Sequence, residues 1–176
     1  MDKTPATPFE QLILPHMDAA YNLSRWLIGN DQDAADVTQE ALLRALKFFS
    51  GFRGGDPKAW LLTIVRRSAW TFLRRNRHHD ESVEYDDELH GSADLSANPE
   101  NALLRAGDIE TVRRGIESLP AVLREALVLR ELEGSSYKEI ADISGVPIGT
   151  VMSRISRARR QLHTILSAPP EKGDAA

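Results

Sequence analysis

Apolar residues recur along the chain at the spacing of an amphipathic helix, and no stretch alternates in the manner of a β-strand. Gly29-Asn30, the glycine-rich stretch 51–55 and an acidic segment after His78 interrupt this pattern. Between the interruptions it predicts helices over about 9–27, 31–49, 58–77, 100–117, 120–133, 136–144 and 147–166. The fold class predicted from the sequence is therefore all-α.

Short polar residues and prolines mark the beginnings of these helices. Asp31 and Asp33 offer N-caps for the second helix, and Asp56-Pro57 offers a cap and a first-position proline for the third. Asn98-Pro99 offers the same combination before the fourth. Pro15 is expected to open or kink the first helix, because its ring removes a backbone donor.

The stretch 135–162 predicts two helices joined by a tight turn; its sequence is SSYKEIADISGVPIGTVMSRISRARRQL. Ser136 and Glu139 have the spacing of a capping box. Gly145 stands where a helix usually ends with a positive φ, and Pro147 begins the next helix at a first-turn position. This order forms a helix-turn-helix, whose second helix enters the major groove of DNA.

The second helix of this motif has an apolar stripe and a cationic face. The stripe, which must pack on the body of the domain, consists of Val151, Ile155, Ala158, Leu162 and Ile165. The opposite face consists of Gly149, Ser153, Ser156, Arg157 and Arg160, with Thr150 at its edge. Ser153 and Arg157 are candidates for contacting base edges. Arg154 and Arg159 flank the stripe and are candidates for holding phosphates. An ordinary solvated helix is the alternative, because arginine is a good helix former.

The helix predicted over 58–77 has a cationic face that includes a tryptophan. Its wide apolar arc consists of Trp60, Leu61, Ile64, Val65, Ala69 and Phe72. The remaining face consists of Thr63, Arg66, Arg67, Trp70, Arg74 and Arg77. This composition suits single-stranded nucleic acid, because the cations follow phosphates while the ring stacks on a base. The alternative is a tryptophan covered by another element or by arginine side chains.

The helix predicted over 31–49 carries a leucine outside its buried arc. That arc consists of Val37, Ala41, Leu42, Ala45, Phe48 and Phe49. Leu43 falls on the opposite face, without a second apolar neighbour, among Asp36, Gln39, Glu40 and Lys47. A single exposed leucine needs no functional explanation, so the residues alone leave a protein-binding role for Leu43 open.

The net charge of −4 is divided unevenly along the chain. Residues 9–78 carry ten basic and seven acidic residues, and residues 101–167 carry ten basic and eight acidic residues. Residues 79–100 carry eight acidic residues, no basic residue and few apolar ones, a composition typical of a flexible linker. The sequence therefore predicts two small helical domains, 9–78 and 101–167, joined by the acidic linker 79–100. The C-terminal domain is the helix-turn-helix domain.

The composition excludes several kinds of chemistry. The chain has no cysteine, which rules out disulfides, thiol catalysis and thiolate metal sites within it. The five histidines form no ligand pattern, so neither a metal nor a cofactor is expected. No enzyme activity is expected either, because no paired carboxylates occur and FRGGDP lacks the lysine of a phosphate-binding loop. Residues 1–8 are polar and no apolar run approaches membrane-spanning length, which predicts a cytoplasmic protein without membrane insertion.

Three segments together resemble one protein family. They are DAADVTQEALLRAL from Asp33, FRGGDPKAWLLTIVRRSAWTFLRRNR from Phe52, and the helix-turn-helix stretch 135–162, in the order and spacing of the family. On these segments the chain resembles the extracytoplasmic-function sigma factors, small two-domain members of the bacterial sigma-70 group. The resemblance covers nearly all of 9–166. It implies a non-catalytic protein that binds core RNA polymerase, directs it to promoter DNA and assists promoter melting.

The resemblance also implies roles for the three polar faces. Contacts with the minus-thirty-five promoter element are implied for Thr150, Met152, Ser153, Arg154, Ser156, Arg157, Arg159 and Arg160. Contacts with the minus-ten element, including a base flipped toward loop 52–56, are implied for Phe52, Arg53, Arg66, Arg67, Trp70 and Arg74. Docking on the clamp helices of the largest polymerase subunit is implied for Asp36, Gln39, Glu40 and Leu43. The acidic linker would pass through the polymerase toward the RNA exit channel, and an anti-sigma factor is a further expected partner.

Two positions depart from the family pattern. The family commonly has lysine or arginine at Met152, and some members carry a bulky residue at Ser156, so the promoter sequence cannot be carried over from relatives.

Two rival functions fit the sequence less well. A stand-alone helix-turn-helix regulator of the response-regulator kind would need an N-terminal α/β domain, and 1–78 contains no strand pattern. An adaptor that only binds polymerase would leave the arginines of the last helix unexplained.

Overall fold

The structure, a computed structural model, describes residues 7–77 and 109–167, and every regular element in these two ranges is helical. The N-terminal module comprises α1 (Pro8–Leu12), α2 (Met17–Ile28), α3 (Asp31–Phe48) and α4 (Pro57–Arg77), with short 3₁₀ turns at Leu14–His16 and Phe49–Gly51. The C-terminal module comprises α5 (Ile109–Glu117), α6 (Ala121–Glu131), α7 (Tyr137–Ser144) and α8 (Ile148–Ser167). The all-α prediction is confirmed. The linker 79–100, the cap Asn98-Pro99 and the first half of the helix predicted over 100–117 lie outside the described residues.

The beginnings of the N-terminal helices agree with the predictions except at one cap. The Pro15 interruption is confirmed, because α1 and α2 are separated by the 3₁₀ turn that contains it. The Asp56 carboxylate accepts a hydrogen bond of 2.9 Å from the backbone N–H of Lys58, as expected of a cap before Pro57. The predicted caps of α3 were wrong. Asn30 has the extended conformation of an N-cap, and its side chain accepts from the N–H of Asp33 at 3.0 Å.

The helix-turn-helix prediction is confirmed in the C-terminal module. Ser136 and Glu139 form a reciprocal capping box at the start of α7, and Gly145 ends that helix with a φ of 68°. Helix α8 begins one residue later than predicted. Pro147 is the residue before it, and its carbonyl accepts the N–H groups of Thr150 and Val151 at 3.0 and 3.1 Å. Pro147 therefore precedes the first residue of α8, and its carbonyl accepts the first hydrogen bonds of the helix.

Two residues predicted to be buried are exposed. Val151, Ile155 and Ala158 of α8 are buried as predicted, but Ile165 is exposed. The last turns of α8 pack closely on Gly115 of α5, where an added Cβ would lie 2.7 Å from Leu162 and 3.6 Å from Ile165. This contact covers only part of the Ile165 side chain, which is 39% exposed. Phe48 is 57% exposed, because α3 ends there and the backbone passes into a 3₁₀ turn, which shifts the helical period.

The two modules pack against each other, a contact that was not predicted from the sequence. Helix α2 packs against α6, and α4 packs against α7. The buried apolar side chains of both modules form one hydrophobic cluster. No helix among the described residues is long and apolar enough to cross a membrane. The described residues also contain no group of three or more side chains arranged to hold a metal ion.

Candidate nucleic-acid interface

The exposed side of α8 presents the residues predicted to contact DNA. The buried stripe of Val151, Ile155 and Ala158 fixes how α8 is rotated about its axis and therefore which of its residues face outward. The side chains of Met152, Ser153, Ser156 and Arg159 are exposed, whereas those of Thr150, Arg154, Arg157 and Arg160 are half-buried. The structure therefore brings all eight predicted residues onto one helix, with Met152 exposed near its N-terminal end.

Arg159 is held by a carboxylate of the neighbouring helix. Its guanidinium donates two hydrogen bonds to one oxygen of Glu131 on α6, the Nε bond measuring 3.0 Å. This hydrogen bonding raises the pKa of Arg159 above its ordinary value. An exposed ion pair of this kind contributes about 1 kcal/mol or less, so Arg159 can exchange the carboxylate for a phosphate at little cost.

The cationic face predicted on α4 is present, but one edge of it is covered. Arg67 and Arg74 are exposed, and Arg74 donates to the hydroxyl of Thr71 at 3.5 Å. Arg66 and Trp70 are half-buried, with the Arg66 guanidinium 5.8 Å from the centre of the Trp70 ring. Both alternatives offered by the sequence therefore apply to Trp70: it lies among cations, and it is covered in part by another element.

The element that covers this edge is α6 of the C-terminal module. Its Glu125 carboxylate accepts a short hydrogen bond from Arg66 Nε and one of 3.5 Å from the indole Nε1 of Trp70. The Glu125 side chain is fully buried, and burial raises its pKa because desolvation outweighs the attraction of Arg66. Glu125 is not among the residues predicted from the sequence. The available signal was a glutamate within the mostly apolar stretch Leu123–Leu129 of α6.

An open cleft of about 570 Å³ lies between the two modules beside this contact. Its walls hold five arginines, namely Arg44, Arg66, Arg67, Arg74 and Arg154, together with Trp70, Thr71, Val122 and Val146. Arg154 belongs to the face predicted for the minus-thirty-five element, and the other predicted residues of this group belong to the minus-ten face. The packing of the two modules therefore brings residues of both predicted DNA faces to one cleft. The cleft also contains Arg44, which was not among the residues predicted from the sequence.

The loop between α3 and α4 is shaped by glycines and anchored by an aromatic residue. Gly54 and Gly55 both have positive φ values, 89° and 94°, a conformation that L side chains rarely adopt. The Phe52 ring stacks on Phe49 at a centroid distance of 6.0 Å and lies 5.3 Å from the ring of Trp60. Phe52 is consequently half-buried, whereas Arg53 is exposed on the loop.

A third surface lies on the outer side of α3. Leu43 is 62% exposed and lies beside the exposed side chains of Asp36, Gln39 and Glu40. Glu40 forms an ion pair with Arg44 one turn along the helix. The expectation that Leu43 has no apolar neighbour was wrong. Leu46, three residues further along the same helix, is 55% exposed and extends the apolar area.

Comparisons with known proteins cover both modules. The chain matches the family described as Sigma-70 region 2 over residues 12–79 and the family described as Sigma-70, region 4 over residues 109–162. It is 37% identical over 166 residues to the RNA polymerase sigma-H factor of Pseudomonas aeruginosa, which covers 90% of this chain and 86% of the relative. It is 42% identical over 137 residues to the ECF RNA polymerase sigma-E factor of Escherichia coli K12, covering 74% and 72%.

Solved structures agree in fold over most of the chain. The sigma factor RpoE, in complex with the anti-sigma factor NepR from Bartonella quintana, superposes with a TM-score of 0.71 at 29% identity, covering 92% of this chain and 98% of that one. CnrH, in complex with the cytosolic domain of CnrY, superposes with a TM-score of 0.61 at 25% identity, covering 90% and 86%.

Proposed function

The chain belongs to the sigma-70 family as an extracytoplasmic-function sigma factor, and we propose that its three polar surfaces divide polymerase docking, promoter recognition and promoter melting among them. A sigma factor is a non-enzymatic initiation factor that directs RNA polymerase to promoters. The observation that carries this function is the presence of both sigma-70 regions in one chain, in order, together with a sigma-factor relative that matches over 90% of this chain. A stand-alone regulator is therefore excluded.

We propose that α8 contacts the minus-thirty-five element. Ser153 and Arg157 lie on the side of α8 opposite the buried stripe. In a major groove, such side chains reach base edges, while Arg154 and Arg159 at the flanks reach phosphates. The remaining members of this surface are Thr150, Met152, Ser156 and Arg160. The exposed methionine supplies an apolar contact where a basic residue would supply a charged one.

Replacing Arg157 with alanine should weaken promoter binding by about 1–3 kcal/mol and relax the sequence preference at one base pair, as expected of a bidentate base contact. The measurement is binding of the polymerase holoenzyme to a panel of promoters with single substitutions in the upstream element. Arg159→Ala is the matched control. It should weaken binding about equally on every sequence, because a phosphate contact carries no sequence information. An equal loss on all sequences for Arg157→Ala would make Arg157 a phosphate contact.

We propose that α4 and the loop before it hold the minus-ten element as its strands separate. Arg67 and Arg74 are exposed beside Trp70, and Arg53 is exposed on the loop. This arrangement offers cations for the backbone and an aromatic ring for an unstacked base. Unstacking a base costs a few kcal/mol, so a pocket and a stacking partner are needed to hold it. A cleft of about 350 Å³ next to the loop, lined by Phe48, Ser50, Gly51, Trp60, Ile64 and Arg67, is a suitable place for that base.

We propose that the outer side of α3 docks on core polymerase. The surface has an apolar centre, Leu43, among acidic and amide side chains, namely Asp36, Gln39 and Glu40. An anchor of this kind is typical of protein interfaces, where a few buried apolar residues inside a polar rim contribute most of the binding free energy. The exposed Leu46 enlarges this centre.

We propose that an anti-sigma protein is a further partner. Two structures similar to this chain are described as complexes, one with the anti-sigma factor NepR and the other with the cytosolic domain of CnrY. A partner of the same type would inhibit this protein by covering the polymerase-binding or DNA-binding surfaces. We also propose that the protein acts in the cytoplasm, where the polymerase is.

A further inference from the structure

Two exposed apolar residues lie on one side of α8 near its beginning. Ile148 is the first residue of the helix and Met152 is the fifth, and they are 45% and 52% exposed. Residues four positions apart are neighbours on the surface of a helix, so the two side chains form one exposed apolar strip. Ile148 is not among the residues assigned to the minus-thirty-five element.

The strip is distinct from the apolar residues that hold α8 on its domain. Those residues are buried, and Val151 stands between the two members of the strip in sequence. At about 100° per residue, Met152 is turned about 100° away from Val151 around the helix, which places it beyond the buried stripe. About half of the Met152 surface is therefore available to a partner.

The strip is continuous with the proposed minus-thirty-five surface. Ser153 is exposed beside Met152, and Ser156 is exposed one turn further along the same row. Arg159 follows Met152 by two helical turns and is exposed on the same side of the helix. An apolar strip that is bordered by hydroxyls and a guanidinium on a DNA-binding helix has part of the DNA as its partner.

The backbone between the two apolar side chains is able to approach a partner closely. Gly149 lies in the first turn of α8 and does not have a positive φ. A Cβ added to it would meet open space, so packing among the described residues does not require a glycine there. Glycine leaves room for close approach of the backbone to a ligand. In a recognition helix, the N-terminal residues are those that contact base edges.

Thymine is the base that offers an apolar group at this place. Base edges in the major groove present hydrogen-bond donors and acceptors, and the C5-methyl group of thymine is the apolar exception. Neither isoleucine nor methionine has a side-chain N–H or O–H that could pair with a guanine, an adenine or a phosphate. Methyl groups of thymine are consequently the part of the DNA that complements the strip.

We propose that Ile148 and Met152 together contact the methyl groups of thymines in the minus-thirty-five element and select for thymine at those positions. The proposal rests on the assignment of α8 to that element. Methionine is unbranched and adapts to the shape of an apolar neighbour. Removing one methyl-sized apolar group from water changes an affinity by about fourfold, so two contacted thymines change it by about fifteenfold.

The first test replaces thymine with deoxyuridine, one position at a time, on both strands of the upstream block of a promoter that the protein transcribes. Deoxyuridine lacks the C5-methyl group and keeps the O4 acceptor, so only the apolar contact is removed. In competition binding by the holoenzyme, the wild-type protein should bind about fourfold more weakly at one or two of these positions. Equal affinity for the thymine and deoxyuridine promoters at every position would refute the proposal.

Two variants connect this loss to the strip. Met152→Gln and Ile148→Ser each replace an apolar side chain with a polar one, and each should show no deoxyuridine effect at the position that it contacts. Ile109→Gln is the matched control, because Ile109 is 74% exposed on α5, a different helix. It should keep the wild-type effect. Circular dichroism verifies that the variants are folded. A full deoxyuridine effect in both strip variants would contradict the proposal, whatever their overall affinity.

5-Methylcytosine provides the reverse test. At a position where thymine has been replaced by cytosine, methylation of the cytosine restores the methyl group without the O4 acceptor. The wild-type protein should regain about fourfold in affinity, and the protein with both Ile148→Ser and Met152→Gln should regain none. A gain of equal size in the doubly substituted protein would show that methylation acts through the DNA itself, and the proposal would then be wrong.

Ordinary base-pair changes separate this proposal from the function on which it rests. If base-pair changes in the upstream block weaken the holoenzyme complex while deoxyuridine does not, α8 keeps its assignment and the thymine proposal is refuted. If no base-pair change in that block affects binding, the assignment of α8 itself fails. Weaker binding of both strip variants to core polymerase without DNA, together with no deoxyuridine effect in wild type, would make the strip a protein contact and overturn the proposal.

Discussion

Replacing Leu43 with aspartate should abolish binding to core RNA polymerase. Burying a leucine at an interface contributes about 1.5–3 kcal/mol, which the variant loses. The variant also places a carboxylate where the interface excludes water, which adds a penalty of several kcal/mol if the carboxylate finds no partner. The two effects act in the same direction, and because each 1.4 kcal/mol is a factor of ten in Kd, the complex should weaken by several orders of magnitude and be lost from a pull-down with purified core polymerase.

The fold should survive this substitution, because Leu43 is 62% exposed and makes no contribution to the buried cluster. The change in helix propensity is below about 1 kcal/mol. Leu12→Asp is the matched control, since Leu12 is an exposed leucine on α1, a different helix from the one that carries the docking surface. It should bind polymerase normally. Retention of Leu43→Asp by the polymerase at the wild-type level would remove α3 from the docking surface.

Replacing Trp70 with alanine should impair promoter opening more than formation of the closed promoter complex. A base that stacks on an aromatic side chain gains about 1–3 kcal/mol, and this gain exists only after the base has left the duplex. Permanganate footprinting of unpaired thymines by the holoenzyme measures the opening step, and a gel-shift at low temperature measures the closed complex. Working with the holoenzyme avoids the effect of the Glu125 contact on Trp70 in the free chain.

Trp70→Phe separates stacking from other roles of the tryptophan. Phenylalanine keeps an aromatic face and loses the indole N–H that donates to Glu125. Opening should return most of the way to the wild-type level. If Trp70→Ala reduces closed-complex binding and opening by the same factor, Trp70 serves in initial binding and has no special part in melting.

Local features of this fold were predictable from sequence, because their causes lie within a few residues. The capping box of Ser136 and Glu139 and the left-handed Gly145 are set by side-chain and backbone chemistry inside one helix turn. The all-helical class follows equally from the period of the apolar residues. The cap of α3 is Asn30 and neither aspartate, because three good capping residues occur within four positions and propensity alone does not decide among them.

The contact between the modules was not predictable in the same way, because it depends on how two separate surfaces meet. Helical projection placed Arg66 and Trp70 on a polar face, and nothing local indicates that a glutamate 55 residues or more along the chain occupies them. One signal was present in α6. Its consecutive apolar residues Ala126–Leu129 cannot all lie on one face of a helix, which indicates packing partners on more than one side.

The minor corrections have the same origin. Phe48 and Ile165 fit the helical period of their segments, but each lies in the last turn of its helix, where the neighbouring elements cover it only in part. Leu46 is three residues from Leu43 on the same helix, a spacing that makes two residues neighbours, and both side chains are exposed.

Transcription in vitro by core polymerase and this protein on a randomised promoter library tests the division of roles most directly. The transcribed promoters should share two separated sequence blocks. Arg157→Ala should loosen the preference only in the upstream block, while Trp70→Ala should reduce the yield of open complexes at every selected promoter. A single selected block, or a loss of preference in the downstream block when Arg157 is replaced, would contradict the assignment of the two DNA surfaces.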